Sequence, residues 1–445
     1  MTLGTATAGA ARSGAVAHES QRWSTAARVL FILAAVGSFT SPPLANIAAG
    51  LALIAYGAIP GAWPRLRAAA SRPLGRGILI LLATLAVATL WADPAPWARR
   101  FASWWSWRPL LLTLVGSALF DEPLWRDRLA RALVALLALA ALASFALRFM
   151  PNPVLIDEPG ILLRNHTTQG MAFVAGVALA GMLAWGRPVS PRGRWLLIGA
   201  IALFLLNIAT VTSGRSAHVA LLVTAAVGAF CLVRGRGRWL ALLLVPLLGA
   251  GLLASSSLVR DRFEKAVSEL GTVSTAPEAT SMGIRVYIWS TTRELIERRP
   301  LLGYGVGGFA PAYAALIRQH EIDSANWRDA SRATDTHNEY LHILVEAGLP
   351  GLLAFLVFVT GALRQPAPAP YRGCGLALLC AWLTTSLLNS HFQTFAEAHL
   401  LGLVLGGLLG SETRPYRDTA GKTAGGAAAG GGAASSEAAS AATSS

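Results

Sequence analysis

Apolar residues run in long unbroken stretches separated by short polar and basic punctuation, and this pattern sets the fold. A stretch of roughly 20 residues crosses the hydrocarbon of a bilayer, with about 17 as a working minimum. On that criterion twelve segments are predicted to span: 26–41, 42–59, 75–91, 107–120, 129–149, 168–186, 194–212, 216–233, 238–258, 338–363, 372–389 and 396–411. The expected fold is therefore all-α, a polytopic transmembrane helix bundle of about 12 spans. One polar segment, 259–337, is too long and too hydrophilic for the bilayer. The predicted organisation is a cytoplasmic tail 1–25, spans one to nine over 26–258, the long loop 259–337, spans ten to twelve over 338–411, and a disordered cytoplasmic tail 412–445 rich in Ala, Gly and Ser.

Charge fixes an expected orientation. Excess Arg and Lys mark cytoplasmic loops. With the N-terminus inside, the inner connections carry Arg65, Arg67, Arg72 and Arg76, then Arg126, Arg128 and Arg131, then Arg187, Arg192 and Arg194, then Arg234, Arg236 and Arg238, then Arg364 and Arg372. The loop 259–337 falls on the opposite, extracytoplasmic side. Within it, Gly283 to Arg299 reads as an amphipathic helix, with Ile284, Ile288, Thr291 and Leu295 on one stripe and Arg285, Trp289 and Arg293 on another. Pro300 stops it.

Composition narrows the chemistry. The chain is 54% hydrophobic and 13% charged, which excludes a set of soluble domains. A net charge of +14 would suggest nucleic acid in a soluble protein, but here the cations punctuate apolar runs. Only Lys265 and Lys422 are lysines, so nearly every cation is an arginine, the residue that forks onto phosphate. Compositional bias that also enriches Ala and Gly is the plain alternative. Cys231, Cys374 and Cys380 lie in or beside apolar segments, so no disulfide framework or thiolate metal site is expected.

Three familiar spellings fail on context. Gly303-Tyr304-Gly305-Val306-Gly307-Gly308 follows a helix rather than a strand, so it reads as a flexible turn and not a dinucleotide site. Gly421-Lys422-Thr423 lacks the upstream glycine of a phosphate loop, and Asn165-His166-Thr167 has no secreted context.

The outer rim is more informative. Thr212-Ser213-Gly214-Arg215-Ser216 joins two apolar spans so tightly that Arg215 must sit at the outer mouth, as a snorkelling interfacial arginine or as a diphosphate ligand. Asp335 to His342, continuing to Glu346-Ala347-Gly348-Leu349-Pro350-Gly351, is the strongest signal. The span starting at Asn338 is about 39 Å long if fully helical, more than a core of about 30 Å, so a break at Gly348–Gly351 is expected. His337 stands where the loop enters that helix, as a helix-capping histidine or as a proton acceptor. Glu339, His342 and Glu346 share a face and are expected to orient the helix or line a cavity rather than bind metal.

The Ser213-Gly214-Arg215 turn, the Arg285-to-Trp289 helix, Pro300 followed by Gly303 to Gly308, and above all His337-Asn338 followed by Gly348-Leu349-Pro350-Gly351 resemble the O-antigen ligase and polymerase superfamily of bacterial envelopes over about 160–410. The resemblance implies transfer of a glycan from undecaprenyl diphosphate to a sugar hydroxyl of lipid A-core at the periplasmic face of the inner membrane, both termini cytoplasmic, with no cofactor, metal or nucleic acid. His337 becomes the general base, and Arg215 and Arg285 the diphosphate clamp. Arg164, His166, Asn338 and Arg293 join them as expected substrate-binding residues. The family's polymerases and protein O-oligosaccharyltransferases are the alternatives within this chemistry. A transporter is the alternative outside it.

Overall fold

The structure is a computed structural model and describes residues 4–92, 94–149, 158–212, 214–233, 235–254, 264, 281–319 and 333–410. The expected tail 412–445, and with it Gly421-Lys422-Thr423, lies outside the described residues, as do Ser213 and most of the loop segments 255–280 and 320–332.

The helices in chain order are α1 (Gly4–Thr40), α2 (Pro42–Gly57), α3 (Ala62–Ala70), α4 (Pro73–Ala88), α5 (Trp97–Trp105), α6 (Pro109–Leu119), α7 (Pro123–Phe149), α8 (His166–Gly186), α9 (Pro191–Thr210), α10 (Arg215–Leu232), α11 (Gly237–Ala254), α12 (Ser281–Arg298), α13 (Phe309–Gln319), α14 (Glu339–Arg364), α15 (Tyr371–Thr385) and α16 (Phe395–Leu408). No strand occurs among the described residues. The starts obey local rules: proline opens α2, α4, α6 and α9, Ser41 and Ser190 cap α2 and α9, and Asn165 caps α8 by accepting from Thr168 N–H at 2.8 Å.

Every predicted span contains a helix, though not each of these helices is long enough to cross a bilayer by itself. Seven helices are long and apolar enough to cross a bilayer, or eight if the pair α2 and α3, bent by 111°, acts as one broken span. The 11 residues of α6 reach only about 16 Å. Ten of those residues are buried against the rest of the bundle, and α16, of 14 residues, is buried along almost its whole length. These short helices are core rather than lipid-facing spans. The architecture is that of a multi-pass membrane protein whose centre is filled by α6, α8, α14, α15 and α16.

Polar contacts sort into two ends. At one end Arg28 meets Asp121 at 2.6 Å and Leu119 O at 3.0 Å. There too Arg187 grips Asp127 with its Nε at 3.0 and 3.1 Å from the two carboxylate oxygens, and Tyr371 donates to Asp127 at 2.8 Å. Arg126, fully buried, donates to Phe120 O and Gly410 O, each at 2.9 Å. At the other end lie the starts of α8, α10, α14 and α16 and the helices α12 and α13 of the long loop.

The long helix α14 is broken at Gly348, where φ is +60° and ψ is −159°. The turn 301–308 covers the break: Leu349 N–H donates to Leu301 O at 3.1 Å and Tyr304 N–H to Val345 O at 2.8 Å. The Gly303–Gly308 turn is thus not flexible, as its composition suggested. It is packed between α14 and the segment after α4, with Gly303 against Val345 O and Gly305 against Ala92. Val306 N–H donates to Ala88 O and Glu346 accepts from Gly307 N–H at 2.9 Å. Four close backbone approaches in six residues explain the glycines.

Gly348→Ala is expected to cost at least about 1–3 kcal/mol, because its Cβ would fall 2.2 Å from Leu301 O in a left-handed conformation. Gly199→Ala, with nothing within 4 Å of its Cβ, should leave stability unchanged or slightly raised. Thermal unfolding in detergent checks both: Gly348→Ala melting with wild type would contradict the account of the break.

Candidate functional site

The site grows from the residues that precede α14. Asn338 caps this helix, its side chain accepting from Tyr340 and Leu341 N–H at 3.0 Å each, and donating to Leu387 O at 2.9 Å. Capping forces the chain to turn sharply just before it, and His337 takes a left-handed backbone with φ +49°. Such a conformation costs a β-carbon-bearing residue about 1–3 kcal/mol. Asp335 offsets that cost by accepting from His337 N–H at 2.9 Å, and Thr336 O is fixed by Trp289 of α12 at 2.9 Å. The imidazole is therefore held by its backbone, leaving the ring part-exposed at the end of the bundle.

Three further elements converge on this point through the segment 386–394. Ser390 donates to Asp335 at 2.5 Å. Asn389, its neighbour, donates to Ser216 at 2.9 Å, which fixes the first turn of α10 and hence Arg215 beside it. Glu339, fully buried, accepts from Phe392 N–H and from Gln393, each at 2.9 Å. Gly214 packs on His166, with Cβ space only 3.2 Å from its Cδ2, so the start of α8 abuts the start of α10. Thr168, also on α8, donates to Glu397 at 2.8 Å, and Glu397 pairs with His391, both buried.

Arg285 reaches the same place from α12. Burial depresses the His337 pKa below its usual 6.5, the Asp335 carboxylate opposes that, and the Arg285 guanidinium reinforces it. The net direction favours the neutral imidazole near pH 7.

The segment before His337 is tied to α12 through Trp289 and, through Asp335, Ser390 and Asn389, to the start of α10 beside Arg215, which in turn abuts His166. Arg164 stands two residues before His166, exposed and in a left-handed conformation with φ +58°. Arg293 is not gathered there. It faces outward, 80% exposed, paired with Glu297 at 2.7 Å. Positions 285 and 293 are eight residues apart, so Arg293 lies two turns, about 12 Å, further along the helix axis than Arg285. On the inner face Ile288, Thr291 and Leu295 are buried, as their spacing predicts. Glu339, His342 and Glu346 orient α14: Glu339 holds 392–393, and Glu346 holds Gly307 and stands 3.5 Å from His342.

Ser390 and Gln393 were not expected at the site from sequence, since they are joined to it by contacts across 50 or more residues of chain. Asp335 carried a signal, since an Asp two residues before a turn residue accepts that residue's N–H.

Residues 200–356 match the family model described as O-Antigen ligase (Wzy_C). The matched segment is less than half of the chain but holds Arg215, Arg285, His337, Asn338 and the Gly348 break, and it supports the O-antigen ligase and polymerase superfamily. No curated protein matches the chain.

The charges flanking His337 predict opposite shifts. Asp335→Asn removes the carboxylate that raises its pKa and should move the acid limb of the activity profile to lower pH. Arg285→Gln removes the cation that lowers it and should move that limb to higher pH. Both limbs are read from initial rates across pH 5 to 8; shifts of the same sign would contradict the arrangement.

Proposed function

We propose that the protein is an O-antigen ligase, transferring a glycan from undecaprenyl diphosphate to a sugar hydroxyl of lipid A-core at the periplasmic face of the bacterial inner membrane. The observation that carries this reading is the left-handed backbone of His337 just ahead of the α14 cap, with the charge of Arg285 felt at its ring and the Arg215 turn tied to the same segment through Asn389 and Ser390. Strain of this kind persists where the surroundings over-determine it, as they do at functional sites.

In the reaction, His337 takes the proton of the acceptor hydroxyl as its oxygen attacks the anomeric carbon of the donor. The carbon–oxygen bond to the diphosphate breaks, and the diphosphate leaves with the electron pair. Arg215 and Arg285 hold the growing negative charge, an effect that lowers such barriers by about 3–4 kcal/mol per well-placed donor. Arginine keeps its charge when partly dehydrated and forks onto phosphate oxygens, so no metal is assigned. His166, Asn338 and Arg164 line the acceptor or donor side of the same mouth; Arg293 is withdrawn from the list, given its outward ion pair.

Orientation rests on the arginines at the opposite end. Arg126, Arg187 and Arg372 gather there at helix ends, with Arg28 of α1 beside Asp121, the distribution associated with the cytoplasmic side, which leaves His337 outside. Polymerisation on the carrier and transfer to protein use the same donor chemistry and differ in the acceptor.

In proteoliposomes given lipid-linked glycan and lipid A-core, with a chelator present, wild type should form core-linked product. His337→Ala should lose about 10²–10⁴-fold while keeping its melting temperature. Product accumulating as longer carrier-linked chains would identify a polymerase instead, and undiminished ligation by His337→Ala would remove the base.

A further inference from the structure

Between α4, which is long and apolar enough to span, and the buried α6 lies α5, a nine-residue helix whose two faces differ sharply. Its inner face is fixed by hydrogen bonds. Arg100 is buried and donates to Ala95 O at 2.7 Å and Thr89 O at 3.2 Å, and Trp104 donates to Leu82 O at 3.1 Å. The outer face carries Trp97, Phe101 and Trp105, spaced four apart and 61%, 58% and 43% exposed. Arg99 is exposed beside them and has no ion pair among the described residues. Arg108, at the end of the stripe, lies over the rings of Trp105 and Phe395 and binds no carboxylate among the described residues.

We infer that α5 lies flat in the headgroup layer of the bilayer leaflet on the His337 side, its aromatic stripe in the lipid and Arg99 on headgroup phosphate. Several observations select lipid as the occupant. A helix tethered between a spanning helix and a buried one stands at the membrane boundary. Tryptophan rings are amphipathic and settle at that depth. An unpaired guanidinium beside an apolar stripe complements an anionic surface, as in in-plane amphipathic helices.

The contact with lipid also sets the depth of the site. Ser106, which caps α5, donates to Gln393 at 3.3 Å, and Gln393 donates to Glu339, two residues from His337. Gly307 packs on the backbone of Arg100, joining α5 to the turn that covers the α14 break. His337 is thereby held at the level of the lipid phosphates, where the diphosphate of a membrane-borne donor lies. This last step rests on the function proposed above; the placement of α5 does not.

The test uses the full chain in phosphatidylglycerol-containing vesicles, with Cys231→Ser and Cys380→Ser and an environment-sensitive fluorophore on Phe101→Cys. A second label on Leu139→Cys, exposed midway along α7, reports the bilayer interior. Lipids bearing a nitroxide on the headgroup should quench the label at 101 more than lipids with a mid-chain nitroxide, and the order should reverse at 139. Quenching at 101 by aqueous iodide but by neither lipid would overturn the inference. So would protection from lipid that disappears as protein is diluted, because a second copy would then cover the stripe. Neither readout needs turnover, so loss of this inference and loss of the ligase reading are separately visible.

Discussion

A helix broken at membrane depth leaves backbone N–H and C=O groups that lipid cannot satisfy, and α14 is broken at Gly348. The groups freed there are taken by the turn 301–308, through Leu301 O and Tyr304 N–H, and the rest of the active end follows from that docking. Because the turn joins α12 to α13, fixing it on α14 also fixes α12, whose Trp289 holds Thr336 and whose Arg285 faces His337. Glu346 locks the same turn through Gly307. One break thus converts a distant loop helix into part of the wall around the imidazole.

The second constraint is polar satisfaction between helices. Ser144, Gln169 and Asn207 bind one another and Gly160 O among α7, α8 and α9, holding the connection 158–165 that presents Arg164 and His166. Asn389, Ser390 and Gln393 do the same between α10, the residues before α14, and α5. Networks of this kind are costly unless complete, and completeness makes them rigid. An imidazole and two guanidinium groups drawn from three separate elements keep their spacing only on such a frame.

Much of this was legible in the chain and some was not, for identifiable reasons. Apolar length located the long helices of the bundle but not α3, α5 or α13, and it could not distinguish a lipid-facing helix from one buried in protein, because both are apolar, as α6 and α16 are. The break at Gly348 was readable, since a 26-residue helix overshoots the bilayer and a Gly-x-Pro-Gly run offers a place to bend. His337, Arg215 and Arg285 were readable as polar residues at expensive positions. Arg293 shares a stripe with Arg285, but a stripe says nothing of distance along the axis: it sits two turns, about 12 Å, away and pairs outward with Glu297. Ser390 and Gln393 were invisible, as their roles depend on which helices become neighbours.

The central claim is that Arg215 and Arg285, 70 residues apart in sequence, hold one diphosphate. Affinity for undecaprenyl diphosphate in wild type, Arg215→Gln, Arg285→Gln and the double variant measures this directly, because contacts to a shared ligand couple and independent ones add. The account predicts that each single change weakens binding and that the double variant loses clearly less, or clearly more, than the sum of the two. Strictly additive losses, or an arginine whose removal changes nothing, would contradict it.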